Sequence, residues 1–300
     1  MKQLFIQLNL AILLLSTFSF HCMGADKYTL KLNLVKGKTY KQLMVNESKV
    51  IMQAMGQEMQ LTSKMEMNTQ YDVIGQNKDV YDIKLTYQKF KMDSSNPAPF
   101  TIDSDSPENS TDSNLGAFIK SLIGIPVDIQ MNQQGKIISI KGTEKLLEKY
   151  ESLNNEQIKP MFDQQFSEQA IQTSFKQLSA FFPQNPVALN ESWEVVNNVN
   201  TGMFDIINKM KLTLKQVKNN EATLEITGTI STPEGGAVLQ VQGMEAQLSM
   251  NGQQAGTVLL DMKTGWIIRS EITQNSTNEI EVMGQKMQQN VETKVTVTAE

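Results

Sequence analysis

Residues 80–92 read VYDIKLTYQKFKM, and the fold class is decided there. Val80, Asp82 and Lys84 fall on one parity, and Tyr81, Ile83, Leu85 and Tyr87 on the other. Successive side chains of a strand point to opposite faces, so this period of two predicts a strand with one apolar and one solvated face. The IGQNKD just before it is a polar turn. Upstream of that turn, Leu61, Met65, Met67, Tyr71 and Val73 keep largely to one parity and predict a long partner strand. Tyr40 to Gln53 predicts a further strand, with AMGQEM as its turn. YTLKLNLVKG (28–37) predicts a half-buried one, its apolar members Tyr28, Leu30, Leu32 and Leu34 ending at a Lys36–Gly37 turn.

Downstream the texture changes. Residues 94–114, SSNPAPFTIDSDSPENSTDSN, combine prolines, serines and acids and predict a solvated loop with too little apolar area to order itself. VDIQM, the turn NQQGK and IISIKG predict another strand pair. Helical spacing begins at Thr143 with Leu146, Leu147 and Tyr150. Beyond Pro160, which suits a first helical turn, Met161, Phe162, Phe166, Ile171, Phe175, Leu178, Phe181 and Phe182 recur at threes and fours. The spacing predicts an amphipathic helix with an aromatic face, closed by FFPQNP. From Val187 the alternation returns and holds to the end. The expected fold is α+β and β-dominated: long antiparallel strands in a strongly curved sheet, or two sheets, with a helical segment around 143–182 packed against it.

The halves resemble one another. MGQEMQ at 55–60 recurs as MGQKMQ at 283–288. YDVIGQNKDVYDIKLTYQ resembles LTLKQVKNNEATLEITGT, VDIQMNQQGKIISIKG resembles VLLDMKTGWIIRSEIT, and NLVKGKTYKQLM resembles VALNESWEVV. An internal duplication is therefore expected within a single domain, 26–300, its halves 26–141 and 187–300 joined by a helical connector, 142–186. The MGQ hairpin comes early in the first half and last in the second, an order that lets the two hairpins lie side by side in one sheet.

KLNLVKGKTY, the two MGQ hairpins, ALNESWE and LLDMKTGWIIRSE together resemble a family of uncharacterised exported proteins of Bacteroidota, defined by a domain of unknown function. The resemblance covers most of the chain. It implies a β-rich envelope protein and brings no catalytic residues.

The N terminus has the order of an export signal over residues 1–25: Lys2, an apolar run Leu8–Leu15 interrupted by Asn9, then small Gly24 and Ala25. That run is shorter than the roughly 20 residues a membrane-crossing helix needs, and no later stretch is long and apolar enough, so no transmembrane span is expected in the mature chain. Export places the protein in the periplasm or at the outer membrane. Cys22 is a candidate for lipidation and a membrane anchor. The bulky Phe20 and His21 before it favour cleavage after Gly24 or Ala25 instead, with Cys22 discarded.

The signal also holds the only histidine and the only cysteine. Its removal excludes Ser-His-Asp and Cys-His catalysis and histidine-held zinc, copper or haem. A net charge of −5 and a single arginine, Arg269, give no basic footprint for nucleic acid. Three constellations remain. Met52, Met55, Met59, Met65, Met67, Met283 and Met287 could present thioethers to Cu(I), but Met65 and Met67 share a strand face with Leu61 and Tyr71, as core gap-fillers do. Asp103, Asp105, Glu108 and Asp112 could hold Ca²⁺, but without the glycine and spacing of an EF-hand they read as a solvated loop. Asp261 with Glu271, or Glu191 with Glu194, could form a glycosidase carboxylate pair, as pairs in any acid-rich β protein could.

The expected function is a non-enzymatic envelope protein without cofactors or metals. It either binds or carries an apolar small molecule or lipid, with Met65, Met67, Phe166, Phe175 and Phe182 as the apolar lining, or serves as a structural or protein-interaction module whose partner is another envelope protein. A hydrolase using paired carboxylates is a remote alternative.

Overall fold

The computed structural model describes residues 26–54, 57–95, 98–153, 158–200, 204–241 and 244–300. The expected signal, with Cys22, and the Met55–Gly56 turn lie outside them. In chain order the elements are β1 (Lys27–Tyr28), β2 (Thr39–Ala54), β3 (Gln57–Asn77), β4 (Val80–Ser94), β5 (Phe100–Asp103), a 3-10 turn (Pro107–Asn109), α1 (Ser113–Leu122), β6 (Pro126–Asn132) and β7 (Ile137–Lys141). Then come α2 (Glu144–Leu153), α3 (Lys159–Gln165), α4 (Glu168–Ser179), β8 (Val187–Ala188), β9 (Ser192–Asn200), β10 (Asp205–Lys218), β11 (Glu221–Ser231), β12 (Ala237–Val241), β13 (Met244–Asp261), β14 (Ile267–Val282) and β15 (Gln285–Ala299).

One antiparallel sheet runs β7-β6-β4-β3-β2-β15-β14-β13-β11-β10-β9, with β5 added to β4 and β12 to β13. β1 and β8 form a separate two-stranded ribbon. The seam at the centre pairs β2 with β15, so the two MGQ hairpins are neighbours in one sheet. Each side of the molecule is a meander held by tight turns. Asn219 and Asn220, both left-handed, make the two-residue turn between β10 and β11, as right-twisted strands require. The turns after β6 and β13 share a device: the Asn132 side chain accepts from the Gln134 and Lys136 N–H groups, and that of Asp261 from Lys263 and Thr264. The paths β7-β6-β4-β3-β2 and β14-β13-β11-β10-β9 match strand for strand.

The sheet does not close, but it curls. Laid flat, eleven strands would span roughly 48 Å, whereas the twelve-residue α4 is about 18 Å long. Yet α4 packs against both edge strands, β7 and β9. Lys176 of α4 reaches the Asn198 carbonyl on β9, 2.9 Å away. The sheet therefore wraps around the helices, with α4 filling the gap between its edges.

Three segments differ from what their sequence predicts. Leu30, Leu32 and Leu34 are buried as expected, but only Lys27–Tyr28 pairs as a strand. The rest is a strap across the base of the sheet. Leu32 N–H donates to the Gln133 carbonyl and Asn33 N–H to the Thr264 carbonyl, so the strap ties the turn after β6 to the turn after β13. Alternation is the same whether the backbone bonds to a ladder or to two turns, so sequence could not separate the cases. Second, within the expected loop 94–114, residues 98–114 are ordered. Ile102 of β5 is fully buried, the Ser104 hydroxyl accepts from the Phe90 N–H, and Asp112 caps α1 by accepting from Asn114 and Leu115. Edge pairing to β4 supplies the partners that composition alone did not predict. Third, the helix after Pro160 is two helices. Ser167 breaks it by accepting from the Ala170 N–H as the N-cap of α4.

Candidate interior binding site

Strand register divides the sheet into two faces with different chemistry. Directly opposed residues share a face. One face carries Tyr40, Met44, Asn46, Ser48 and Val50 of β2, and the pairings extend it without a break through Val297, Ile272, Val258, Leu224, Leu212 and Trp193 to β9. The helices lie against this inner face. Among the described residues, every acidic or basic side chain of the main sheet points the other way. On β14, for example, Arg269, Glu271, Glu279 and Glu281 all share the outer face. There they pair with one another and with neighbours: Lys294 lies 3.0 Å and Arg269 3.2 Å from Glu271, and Lys286 lies 2.6 Å from Glu279. These cations hold the Glu271 carboxyl below its ordinary range, Lys294 more than Arg269. Outer-face depressions of 690 and 680 Å³ are lined mostly by Thr, Asn, Ser and charged residues, with Ile51, Ile230 and Val291 at the first and Pro99 at the second.

The helices fill the inner face at one end; beyond them several of its side chains are only half-buried. At the filled end Phe166 is fully buried, its ring edge-on to Tyr87 at 5.2 Å and tilted against Phe90 at 5.6 Å. Phe175 meets Tyr71 edge-on at 6.0 Å, and Trp266 lies 5.2 Å from Tyr71. Trp193 on β9 donates to the Ala180 carbonyl just after α4. Burial pushes the Tyr71 phenol up to about 12 and Tyr87 still further, as expected of a dry, uncharged environment.

A polar girdle crosses the inner face above this floor. Ser94, Ser63, Ser48, Thr293, Gln274 and Gln254 stand directly opposite one another in successive strands. Gln274 Nε2 donates to Gln254 Oε1 at 3.1 Å, and Gln254 Nε2 donates to Asn208 Oδ1. That last bond reaches past Gly228, where a Cβ would stand 3.0 Å from the Gln254 amide nitrogen. Asn197, opposite Asn208 on β9, ends the row. It is 8% exposed, and its buried Nδ2 has no partner; nor does Oδ1 of Asn46, beside the row on β2. An unpaired buried donor costs about 1–3 kcal/mol.

Beyond the girdle, toward the MGQ hairpins, the inner face carries half-buried Val50, Leu61, Val291, Met250 and Ile280, interleaved with Ser276, Asn278 and Gln289 and flanked by buried Ile230, Ala246 and Leu248. The five half-buried apolar residues do not belong to the helix-filled core. Among the described residues the inner face of the sheet thus offers apolar contact and neutral hydrogen bonds, with no acidic or basic side chain.

All five lining residues expected from sequence face the interior or its wall. Met67, Phe166, Phe175 and Phe182 are buried in the floor, where they fill space; Met65, half-buried opposite Asn46, stands at its upper boundary. Phe182 also borders a 960 Å³ opening between the tail of α4 and β9. The half-buried residues above the girdle were missed. The signal that finds them is the confinement of charge to one parity along β2, β3, β13, β14 and β15. Several of the carboxylates expected as catalytic or calcium candidates have structural partners. Asp261 builds its turn, Glu191 accepts from the Ala188 N–H, and Asp105 and Asp103 pair with Lys89 and Lys91. Among the described residues no group of three or more potential ligands is placed to hold a metal.

Residues 78–267 match the model of DUF6263, a family of unknown function; the match spans β4 to β13 and leaves the central seam strands outside. No curated protein matches the chain. Among solved structures it is similar to lipovitellin, in a structure describing lipid–protein interactions, at 13% identity and a TM-score of 0.53. That match covers 89% of this chain and 25% of the other, so the chain spans a quarter of the lipovitellin chain and shares its fold over that length. An outer-membrane channel from Pseudomonas putida F1 aligns over 90% of this chain and 97% of its own at 7% identity and a TM-score of 0.21. The translocator domain of the autotransporter NalP from Neisseria meningitidis aligns over 89% and 90% at 6% identity and a TM-score of 0.22.

Proposed function

The chain belongs to DUF6263, a family of unknown function, and for this member we propose a non-enzymatic role: binding or carrying an apolar or amphipathic ligand at the end of the curled sheet beyond the helices. One observation carries the reading. The inner face stays uncharged well beyond the helices, over a region where Val50, Leu61, Val291, Met250 and Ile280 are only half-buried. A sheet face meant for water alone has no reason to exclude lysine and glutamate from every strand, and contiguous exposed apolar surface marks a binding site. Size points the same way. Eight strands make a barrel that side chains alone can fill, whereas a larger curl leaves room. The fold likeness to lipovitellin, a protein described for its interactions with lipid, supports the same class of ligand.

The proposal includes export by the signal at 1–25, which would place the protein where lipids cross the envelope, and an origin of the two matching meanders by duplication. The test is native mass spectrometry of the protein purified from its own envelope fraction, with organic extraction of what accompanies it. A lipid adduct that denaturation releases is the expected result. A clean apo mass, together with no uptake of hexadecane or monoolein by the purified chain, overturns the reading and leaves a structural or interaction module.

A further inference from the structure

Resting on that reading, we propose that the girdle selects the ligand's polar part: an acyl lipid with an uncharged, hydroxyl- and ester-bearing head, of the mono- or diacylglycerol class. The girdle has two arcs. Asn197, Asn208 and Gln254 are at least nine-tenths buried. Gln274, Thr293, Ser48 and Ser63 are half-buried and border the end beyond the helices.

The accessible arc has hydrogen-bonding capacity to spare. The Gln274 amide gives one N–H to Gln254 and keeps its carbonyl oxygen and second N–H. The Thr293 and Ser48 hydroxyls stand 3.4 Å apart, a long contact that leaves further lone pairs. The arc can thus donate to ester oxygens and accept from hydroxyls. The buried arc holds it in place, because Gln254 links Gln274 to Asn208. Asn197 Nδ2 at the end of the row and Asn46 Oδ1 beside the row are buried polar atoms that the fold leaves unpartnered, as it does Trp266 Nε1 in the floor.

Charge sets the specificity. No cation lies on the inner face among the described residues, so a carboxylate or phosphate drawn down to the girdle would lose water and gain no counter-charge. A neutral glycerol head loses little that the amides and hydroxyls do not return. The acyl chain would then lie along Val291, Val50 and Leu61, which stand directly opposite one another in successive strands.

The test measures binding of monoolein, oleate and hexadecane to the delipidated full chain at pH 8, on the parent protein and on a Gln274→Leu/Thr293→Val double variant. Both substitutions keep side-chain volume on strand positions, and circular dichroism confirms the fold. The expected result is monoolein at least tenfold tighter than oleate in the parent, a preference lost in the double variant, and hexadecane binding unchanged between the two. Oleate binding as tightly as monoolein, or a preference that survives the double substitution, overturns the role of the girdle while leaving an apolar site. Failure of all three probes to bind overturns the girdle together with the binding site on which it rests.

Discussion

Ile272 and Ile280 stand on the same face of the same strand, β14, and have different surroundings. Ile272 packs against the aromatic floor built by the helices; Ile280 lies beyond the girdle, half-buried and outside that core. The same contrast holds between Met44 and Val50 on β2. The strands carry one uncharged face from end to end, but the three short helices of the connector fill only one end of it. The lesson is that a strand pattern sets which residues face inward, whereas the length of the inserted helices sets how far down the interior is filled.

The largest expected effect tests the filled end. Phe166→Ala removes a fully buried ring in contact with Tyr87 and Phe90. It should cost about 3–5 kcal/mol in urea unfolding. Ile280→Ala, a substitution of the same kind at the other end, should cost less than about 1.5 kcal/mol, since little is packed around it. Equal losses would mean that both ends are packed core, and the contrast would disappear. Next in size is Gly228→Ala. The new methyl group collides with the Lys209 carbonyl and crowds the Gln254 amide, 3.0 Å away. Expected is a loss of about 1–3 kcal/mol, with slower hydrogen exchange at the Gln254 side chain giving way to fast exchange. A neutral Gly228→Ala would show that Gln254 does not need to pass that position.

Much of this arrangement is legible in the sequence. The period of two in VYDIKLTYQKFKM places Tyr81, Ile83, Leu85 and Tyr87 inward, and they are inward. The extra residue at Gln88 then shifts the register, so that Phe90 rather than Lys89 continues the buried face, which strict alternation does not foresee. The aromatic helix face was legible and its break at Ser167 was not, because a serine followed by a glutamate is compatible with a cap or a helix interior. The site was harder to see. Phe166 and Met67 attract attention because they are large and apolar, but these are the residues that fill space. The girdle is built from Ser, Thr, Gln and Asn, which in any one strand look like solvated positions. Only the register brings Ser48, Thr293, Gln274 and Gln254 into one row, since Ser48 comes from a strand more than two hundred residues from the other three.

A smaller effect belongs to the floor at alkaline pH. The folded pKa of Tyr71 is raised to about 12 by burial, and Tyr87 is raised as well. For a group whose pKa is raised on folding, the stabilisation is complete below the ordinary value of about 10 and is lost as pH climbs through the folded value. Spectroscopic titration at 295 nm should therefore leave part of the six-tyrosine signal un-ionised at pH 11, and the urea midpoint should fall between pH 10 and 12. Complete ionisation near pH 10 with the fold intact would place both phenols in water.

The smallest effect separates a girdle made for a ligand from one made for stability. Asn197 sits on an edge strand, its buried Nδ2 unpartnered. If the row existed to hold the sheet together, an amide at its end would be bonded, and replacing it would cost about 1–2 kcal/mol. If the row is a polar surface awaiting a partner, the ligand-free protein carries that donor as a burden. Asn197→Val removes an orphaned group and places a branched side chain in a strand, where it packs well. The expected change is between zero and a gain of about 1 kcal/mol in urea unfolding of the delipidated chain. A loss of more than about 1 kcal/mol would assign the girdle to the fold and weaken the contrast between a filled and a waiting end.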